Sequence, residues 1–437
     1  MATIGGQILC QAPDRSSSIR EGVVRIEDDR IVEVSFEAIS GSVDWGDAET
    51  FITPGFIDTH LHLPQFDSIG AFGMPLLDWL SEVIFPAEEN WNDMDYARSM
   101  IARVIDQCLS VGTTGICAYA TSSYDATITA LDMFQRVGLR GVIGQAMMDR
   151  AAPMSLTVPT EQLIEQVEAA LQQFPPTGRM ATAVTPRFAL SCTESALLAA
   201  ADLARRFDAM IQTHLAETRR ECEVVSKHFD GMPYVDVYDK MGLVTERSVF
   251  GHGIYLDDLS VARLVQAGSV IAHCPTANSF LGSGTMNRND HLAHGVRLSL
   301  GSDVGAGFER SMVRVGRAMI EAAIAKQFQS DAFRRTGMID YAKVPTAPQA
   351  WYQITAGNAE AVRWKDGGRI EVGQPADLVI VQPDVPWRLA RCPLSTLMYS
   401  WDDRWVRHTI VNGRHYTIGP NGAGVRTEKG ESLGAVR

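Results

Sequence analysis

Short apolar runs alternate with longer segments of helical periodicity through the middle of the chain. We interpret eight of these runs as buried strands: GFIDTHLH, TTGICAYA, LRGVIGQAMM, MATAVTPRF, AMIQTHLAE, SVFGHGI, GSVIAHC and VRLSLGSDV. In the segments between them, such as YARSMIARVIDQCLSV, apolar residues recur at the spacing of a helix that packs on a sheet. Eight strands that alternate with helices predict an α/β fold, a (β/α)8 TIM-type barrel.

Both ends of the chain carry strand patterns without helices between them. The N-terminal region contains GVVRIEDDRIVEVSF, and the C-terminal region contains ADLVIVQP and VRHTIVNGRHYTI. We expect the two ends to pair into one small β-sandwich domain beside the barrel. The predicted parts are residues 1–53 and 364–437 for the β domain and residues 54–363 for the barrel.

Charge and cysteine content narrow the function classes. A formal net charge of −13 provides no basic surface for a phosphate backbone, so we expect no nucleic-acid partner. The seven cysteines are scattered without a C-x-x-C pair, which argues against a disulfide framework or a structural zinc site. No run approaches the roughly 18 apolar residues of a membrane span, and the first residues lack the features of a signal peptide. We therefore expect a cytoplasmic protein that acts on a small molecule.

Histidines concentrate where the predicted strands end, which is the active face of such a barrel. In an extended strand, alternate side chains share a face, so His60 and His62 point to the same side. Five of the ten histidines fall at strand ends, and Asp303 ends the eighth strand. These five are His60, His62, His214, His252 and His273. The others are expected in loops or on the surface: His228, His291, His294, His408 and His415.

Neutral imidazoles with one carboxylate, leaving a position for water, form the kind of zinc or iron site that generates hydroxide near neutral pH. The residues that supply this pattern are His60, His62, His214 and Asp303. Glu217 follows His214 by three positions and is placed to carry protons, although such a pair also occurs at solvent-facing helix starts.

Two further histidines have less specific surroundings. His252 stands between glycines in FGHGI, where we interpret it as a hydrogen-bond partner of the metal-activated water; the alternative is an ordinary core histidine. His273 either holds a neighbouring ligand in its tautomer or is structural.

The motifs PGFIDTHLHLPQ, THLAE, GHG, AHCPTAN and LGSDVGAG, in this order, resemble the amidohydrolase superfamily. Together with LLDWLSEVIFPAE, MDRAAP and TPRFALSC, the HLPQ segment resembles guanine deaminases. The resemblance implies hydrolysis of guanine to xanthine and ammonia with one bound zinc, iron being possible, in a homodimer. It implies four metal ligands, namely His60, His62, His214 and Asp303. It implies Glu217 as the proton shuttle, and we expect His252 and Asp303 to hold the attacking water. Substrate contacts are then assigned to Gln65, Trp79, Arg187 and Phe188.

The chemistry of these substrate residues agrees with a flat, hydrogen-bonding ring. Phe188 can cover a ring face, Arg187 can hold a carbonyl oxygen, and the amide of Gln65 both donates and accepts. The alternatives are a salt bridge at the barrel rim for Arg187 and a loop cap for Gln65.

The alternative functions differ in the substrate, in the metal site or in the presence of catalysis. The segment GSDVGAG and Ala277 in CPTAN depart from the guanine deaminase pattern, which leaves 8-oxoguanine or a pterin such as isoxanthopterin as alternative substrates. A two-metal site bridged by a carbamylated lysine is excluded, because the chain has no lysine before Lys227. A catalytically inactive assembly protein is the non-enzyme alternative, and the complete ligand set argues against it.

Overall fold

The computed structural model describes residues 1–39, 41–419 and 425–427. Part of the predicted C-terminal β segment, residues 420–424 and 428–437, therefore lies outside the described residues. The strands are β1 Ala2–Gln11, β2 Ser17–Glu27, β3 Arg30–Ser35, β4 Trp45–Pro54, β5 Phe56–His62, β6 Thr113–Tyr119, β7 Arg140–Gly144, β8 Ala146–Met147, β9 Met180–Thr182, β10 Thr185–Pro186, β11 Ile211–Leu215, β12 Ser248–His252, β13 Val270–His273, β14 Arg297–Leu300, β15 Leu378–Val381, β16 Val406–Val411, β17 Arg414–Ile418 and β18 Val425–Thr427.

The helices follow the strands in the alternation that the sequence predicts. Short π-helical turns, Leu80–Ile84 and Gln353–Gly357, join α1 to α2 and α14 to α15. The α-helices are α1 Leu76–Trp79, α2 Phe85–Glu89, α3 Met94–Ser110, α4 Tyr124–Val137, α5 Thr160–Gln173, α6 Glu194–Phe207, α7 Arg219–His228, α8 Tyr234–Lys240, α9 Asp258–Ala267, α10 Pro275–Phe280, α11 Arg288–Ala293, α12 Met312–Phe328, α13 Asp331–Thr336, α14 Ala347–Tyr352, α15 Asn358–Ala361 and α16 Pro393–Tyr399.

The central strands form two parallel four-stranded sheets. One has the order β5-β6-β7-β9 and the other the order β11-β12-β13-β14. They are joined on one side where Val184 bridges to Ile211 in parallel. The strands thus follow one another in chain order, and they coincide with the eight runs interpreted as strands. The barrel fold predicted from the sequence is confirmed.

The other junction, between β5 and β14, is held by side chains and by a backbone hydrogen bond from the Asp303 N–H to the His60 carbonyl oxygen at 2.7 Å. Among the described residues, no strand ladder joins these two strands. Asn358 instead donates from Nδ2 to the carbonyl oxygens of Ile57 at 2.7 Å and Leu300 at 2.9 Å, and its Oδ1 accepts from the Leu300 N–H at 2.8 Å. The Thr59 hydroxyl lies 2.8 Å from the same Leu300 oxygen. We call this junction, formed by Ile57, Thr59, Leu300 and Asn358, the seam.

The ends of the chain pair as expected and form a single hydrogen-bonded sheet of the order β18-β17-β16-β15-β4-β1-β2-β3. Strand β4 lies at its centre, antiparallel to β15 and parallel to β1. Only Gly55 separates β4 from β5, so the chain passes from the terminal sheet directly into the first barrel strand. The terminal sheet therefore fixes the position of the strand that carries His60 and His62.

The histidines expected at the surface divide into two groups. His228 and His294 are exposed, as predicted. The prediction is wrong for His291, which is buried with Nε2 3.1 Å from the Gly253 carbonyl oxygen. It is also wrong for His415, which is buried in the terminal sheet, where its ring stacks on Trp45 with centroids 4.2 Å apart. His408, half-buried, lies beside His415. His415 is buried because Trp45 and His408 pack against its ring.

Within the described part of the chain, no helix combines the length and apolar character needed to cross a lipid bilayer.

Candidate metal and substrate site

Four side chains from three separated parts of the barrel converge at the ends of its strands. His60 and His62 end β5, His214 lies in β11, and Asp303 follows β14. One potential ligand atom from each lies within 4.8 Å of the others. The Nε2 atoms of His62 and His214 are 3.1 Å apart, and Asp303 Oδ1 lies 3.4 Å from His60 Nε2 and 3.3 Å from His62 Nε2. The structure brings together the four residues that the sequence predicts as metal ligands.

The protonation states of these residues suit a cation. Burial lowers the pKa of His62 to about 4 and also lowers the pKa values of His60 and His214. Burial opposes ionisation of Asp303, but the adjacent imidazoles outweigh it and hold the pKa of this carboxyl well below its ordinary value. Among the described residues, the buried Nε2 of His60 has no hydrogen-bond partner. Neutral imidazoles beside an ionised carboxylate are the donor set that a divalent metal requires, so these residues fit the metal.

A second group of potential ligands overlaps the first and consists of His252, Cys274 and Asp303. Burial raises the pKa of the Cys274 thiol well above its ordinary value, so the sulfur keeps its proton. A thiol binds metal as the thiolate, which makes this second group the poorer site.

Close packing of the backbone fixes His60. A Cβ atom on Gly251 would lie 2.5 Å from His60 Cε1, and one on Gly301 would lie 2.4 Å from His60 Cβ. Behind the strand, the Asp58 carboxylate accepts hydrogen bonds from the backbone N–H groups of His60 and Ser302 at 3.2 and 2.9 Å. Only glycine leaves room for an imidazole between these strands.

Glu217 lies buried beside the metal ligands rather than on a solvent-facing helix start, since α7 begins two residues later at Arg219. Its Oε2 is 3.5 Å from His252 Nε2, and its Oε1 accepts a 2.6 Å hydrogen bond from Ser283. Burial raises the pKa of Glu217 to about 7. A carboxyl group that titrates near neutrality can both give and take a proton, as a general acid–base requires.

His252 is held by Asn278, whose Oδ1 lies 2.9 Å from its Nδ1. Because the amide oxygen only accepts, Nδ1 carries a proton and Nε2 faces the site. Burial lowers the pKa of His252, but Glu217 and Asp303 outweigh this effect and raise it above its ordinary value. His252 also adopts a left-handed backbone conformation, with φ at 71°, which is uncommon for residues other than glycine.

A cavity opens beside the predicted metal ligands, and its wall includes His62, His214 and Asp303. Its wall includes the predicted substrate residues Gln65, Trp79, Arg187 and Phe188. The indole N–H of Trp79 donates to the Ala71 carbonyl oxygen at 2.9 Å, so this side chain offers the cavity an apolar surface. The cavity has the mixture of aromatic and polar walls that suits a flat, hydrogen-bonding ring.

Arg187 is not a salt bridge at the barrel rim. Its Nη1 lies 2.7 Å from both carboxylate oxygens of Glu88, and both side chains are buried. The carbonyl oxygen of Arg187 lies 2.7 Å from His214 Nδ1, which fixes the tautomer of that imidazole and directs Nε2 toward the other ligands.

His273 does not hold a metal ligand. It is buried, and neither of its ring nitrogens has a hydrogen-bond partner in the described chain. Its contribution is the backbone carbonyl, which accepts from the Gly301 N–H at 3.0 Å.

Three polar residues of the site escaped sequence reasoning: Glu88, Asn278 and Ser283. Glu88 ends the segment LLDWLSEVIFPAE and Asn278 ends CPTAN, so both stood inside motifs that already indicated the family. Ser283 lies in a glycine-containing loop after α10 and carries no comparable signal.

The chain matches the model of the Amidohydrolase family over residues 51–415. Guanine deaminase from Rattus norvegicus is 31% identical to it over 394 residues, which cover 83% of this chain and 82% of the rat protein. The guanine deaminase of Escherichia coli (strain K12) is 33% identical over 375 residues, with 83% and 82% covered. The crystal structure of guanine deaminase from C. acetobutylicum with bound guanine in the active site superposes with a TM-score of 0.85 at 25% identity, over 95% of this chain and 99% of that one. The chain therefore belongs to the amidohydrolase family, in the group of the guanine deaminases.

Proposed function

We propose that the protein is a zinc-dependent guanine deaminase that hydrolyses guanine to xanthine and ammonia. The relatives support a hydrolase that acts on C–N bonds of a cyclic amidine. The observation that carries the proposal is the position of Glu217, buried beside the four potential metal ligands and at the wall of the cavity.

The residues that would hold the metal are His60, His62, His214 and Asp303. Zinc fits this donor set, and iron(II) is the second candidate. A bound divalent metal lowers the pKa of coordinated water and so supplies a nucleophile near neutral pH.

Glu217 carries the proton transfers. In the protonated form it donates to the ring nitrogen beside the amino-bearing carbon, which makes that carbon easier to attack. Water then adds, a C–O bond forms, and Glu217 takes the proton that water releases. The C–N bond breaks as Glu217 passes this proton to the departing ammonia, and the hydroxyl proton left on the carbon returns to Glu217 as the new carbonyl group forms. His252 and Asp303 hold the attacking oxygen in place.

Arg187 and Gln65 form the polar edge of the cavity, and Phe188 and Trp79 supply apolar surface for the ring. As the attack proceeds, negative charge spreads to the ring carbonyl, and Arg187 stabilises it there. Adenine has no carbonyl at that position. A site built for such a contact rejects a ring without it by roughly 10⁴-fold.

A related ring, 8-oxoguanine or a pterin, is the second candidate. The departure from the guanine deaminase pattern in GSDVGAG reaches the cavity, because Ala306 of this segment lines it. The homodimer and the cytoplasmic location stay predictions.

The experiment is a deamination screen with purified protein, in which ammonia release is measured from guanine, 8-oxoguanine, isoxanthopterin and adenine. We expect guanine to be the best substrate and adenine to be negligible. Metal analysis should find about one zinc per chain, and chelation should abolish turnover until zinc is restored. Full activity of metal-free protein would contradict the mechanism, and protein without bound metal or turnover would favour the assembly role.

A further inference from the structure

The carboxylate of Glu88 lies behind the polar edge of the cavity. Glu88 is fully buried, and it is not part of the cavity wall, whereas Arg187 and Gln65 are. It contacts both of them: its two oxygens lie 2.7 Å from Arg187 Nη1, and Oε1 lies 3.5 Å from Gln65 Nε2, at the long end of a hydrogen bond. One carboxylate thus contacts both Gln65 and Arg187, the polar residues predicted to recognise the substrate, from the side away from the cavity.

We propose that Glu88 determines which ring edge this cavity accepts, by fixing the hydrogen-bonding orientation of Gln65 and Arg187. The proposal rests on the proposed function, since it concerns recognition of the ring at the same site.

The orientation of Gln65 follows from the chemistry of its neighbour. An ionised carboxylate only accepts hydrogen bonds, so the amide of Gln65 must turn its NH₂ group toward Glu88. Its amide oxygen then points away from Glu88 and lies against Gly305, where an added Cβ atom would come within 2.3 Å of it. Gln65 is left as an acceptor at the cavity.

Arg187 is fixed as a donor by the same carboxylate. Glu88 occupies Nη1 alone, and within the described chain the remaining guanidinium nitrogens, Nε and Nη2, make no hydrogen bond. The ion pair keeps the guanidinium in one plane without using these N–H groups. Arg187 therefore has N–H groups left for a ligand oxygen.

An acceptor beside a donor matches a lactam, in which a ring N–H adjoins a carbonyl group. Guanine presents this pair next to its amino-bearing carbon. 2-Aminopurine keeps that carbon but lacks the carbonyl, and its corresponding ring nitrogen accepts instead of donating. Its edge is mismatched to both groups.

The test compares guanine with 2-aminopurine in the wild type and in Glu88→Gln. The new amide keeps its oxygen on Arg187 and turns its NH₂ group to Gln65, which then rotates and offers its own NH₂ to the ring. We expect the guanine to 2-aminopurine ratio of kcat/KM to fall by about tenfold or more, chiefly through a higher KM for guanine, with unchanged zinc content. Glu82→Gln, the same change at an exposed position nearby, is the control and should leave the ratio unchanged.

A purely structural role for Glu88 would reduce turnover of both rings alike, and an unchanged ratio in Glu88→Gln would overturn the proposal. If this variant does not fold, Glu88→Asp replaces it in the test, because aspartate keeps the charge but withdraws the carboxylate from Gln65. Its guanine to 2-aminopurine ratio of kcat/KM should fall by about threefold relative to the wild type. An unchanged ratio would overturn the proposal. Wild-type protein that fails to deaminate guanine would overturn the proposed function and this inference together.

Discussion

Ser283 donates a 2.6 Å hydrogen bond to Oε1 of Glu217 and leaves Oε2 of that carboxylate facing His252. The backbone N–H of Glu217 is held as well, by Glu221 Oε2 at 2.8 Å. Because the residue is fixed at both its backbone and one oxygen, Oε2 is the atom available to carry a proton.

Removing the Ser283 hydroxyl tests this arrangement. Ser283→Ala should lower kcat by roughly 10- to 100-fold, because a hydrogen bond to a charged group is worth about 1.5–3 kcal/mol. That bond also lowers the pKa of Glu217, so the corresponding limb of the pH–rate profile should move to higher pH. Steady-state kinetics across pH would measure both effects. Ser279→Ala, at an exposed position of α10, is the matched control, and equal rates for the two variants would contradict a role for Ser283.

Glu217→Gln keeps the shape of the side chain but cannot shuttle a proton. We expect turnover to fall by about 10²–10⁴-fold, the contribution of general acid–base catalysis, while zinc binds as in the wild type. Kinetics combined with metal analysis separates these effects. Loss of the metal in this variant would mean that Glu217 is itself a ligand.

The seam predicts a stability effect far from the cavity. Asn358→Leu removes this partner from the Ile57 carbonyl oxygen and the Leu300 N–H, whereas the Leu300 carbonyl oxygen keeps the Thr59 hydroxyl. A buried polar group left unpaired costs about 1–3 kcal/mol, so the free energy of unfolding should fall by roughly 2 kcal/mol or more. Denaturant unfolding would measure it. The surface variant Asn90→Leu should change stability little, and a similar loss there would show that the effect is not specific to the seam.

The paired histidines of the terminal sheet predict acid sensitivity. Burial lowers the pKa values of His408 and His415 to about 4, below the ordinary value near 6.5. The unfolded chain therefore binds these protons first, so stability is complete above about pH 6.5 and is lost progressively as the pH falls toward 4. Thermal unfolding at pH 7 and pH 5 should show a lower Tm in acid. His415→Phe keeps the stack on Trp45 and should reduce that difference; an equal difference would show that His415 does not contribute.

The sequence sufficed to predict the four candidate metal ligands because strand ends are set by local patterns. His60 and His62 share a face by strand alternation, and a barrel brings the ends of all its strands to one side. Asp303 was predictable for the same reason. No contact between distant segments had to be known.

Residues on connecting segments were not predictable in this way. The contact between Glu88 and Arg187 depends on how the segment after β5 folds back over the barrel, and that path is set by tertiary packing. The position of Ser283 depends on the path of a loop. The contacts of Asn358 depend on how the first and last strands of the barrel meet. The buried positions of His291 and His415 were missed because residue type alone indicates polarity and not the partners that surround it.

The seam also bears on how long the protein can retain an ion. Two ligand histidines stand on β5 and Asp303 follows β14, so the seam runs between the ligands. A brief separation of these strands would move His60 and His62 away from Asp303 while the rest of the barrel stays folded. Such a separation requires Asn358 to release its carbonyl partners and the Asp303 N–H to release the His60 carbonyl oxygen, and it would shorten the residence time of a bound metal. A protein with a weakened seam should exchange its zinc with added isotope faster than the wild type, even where both bind it equally tightly.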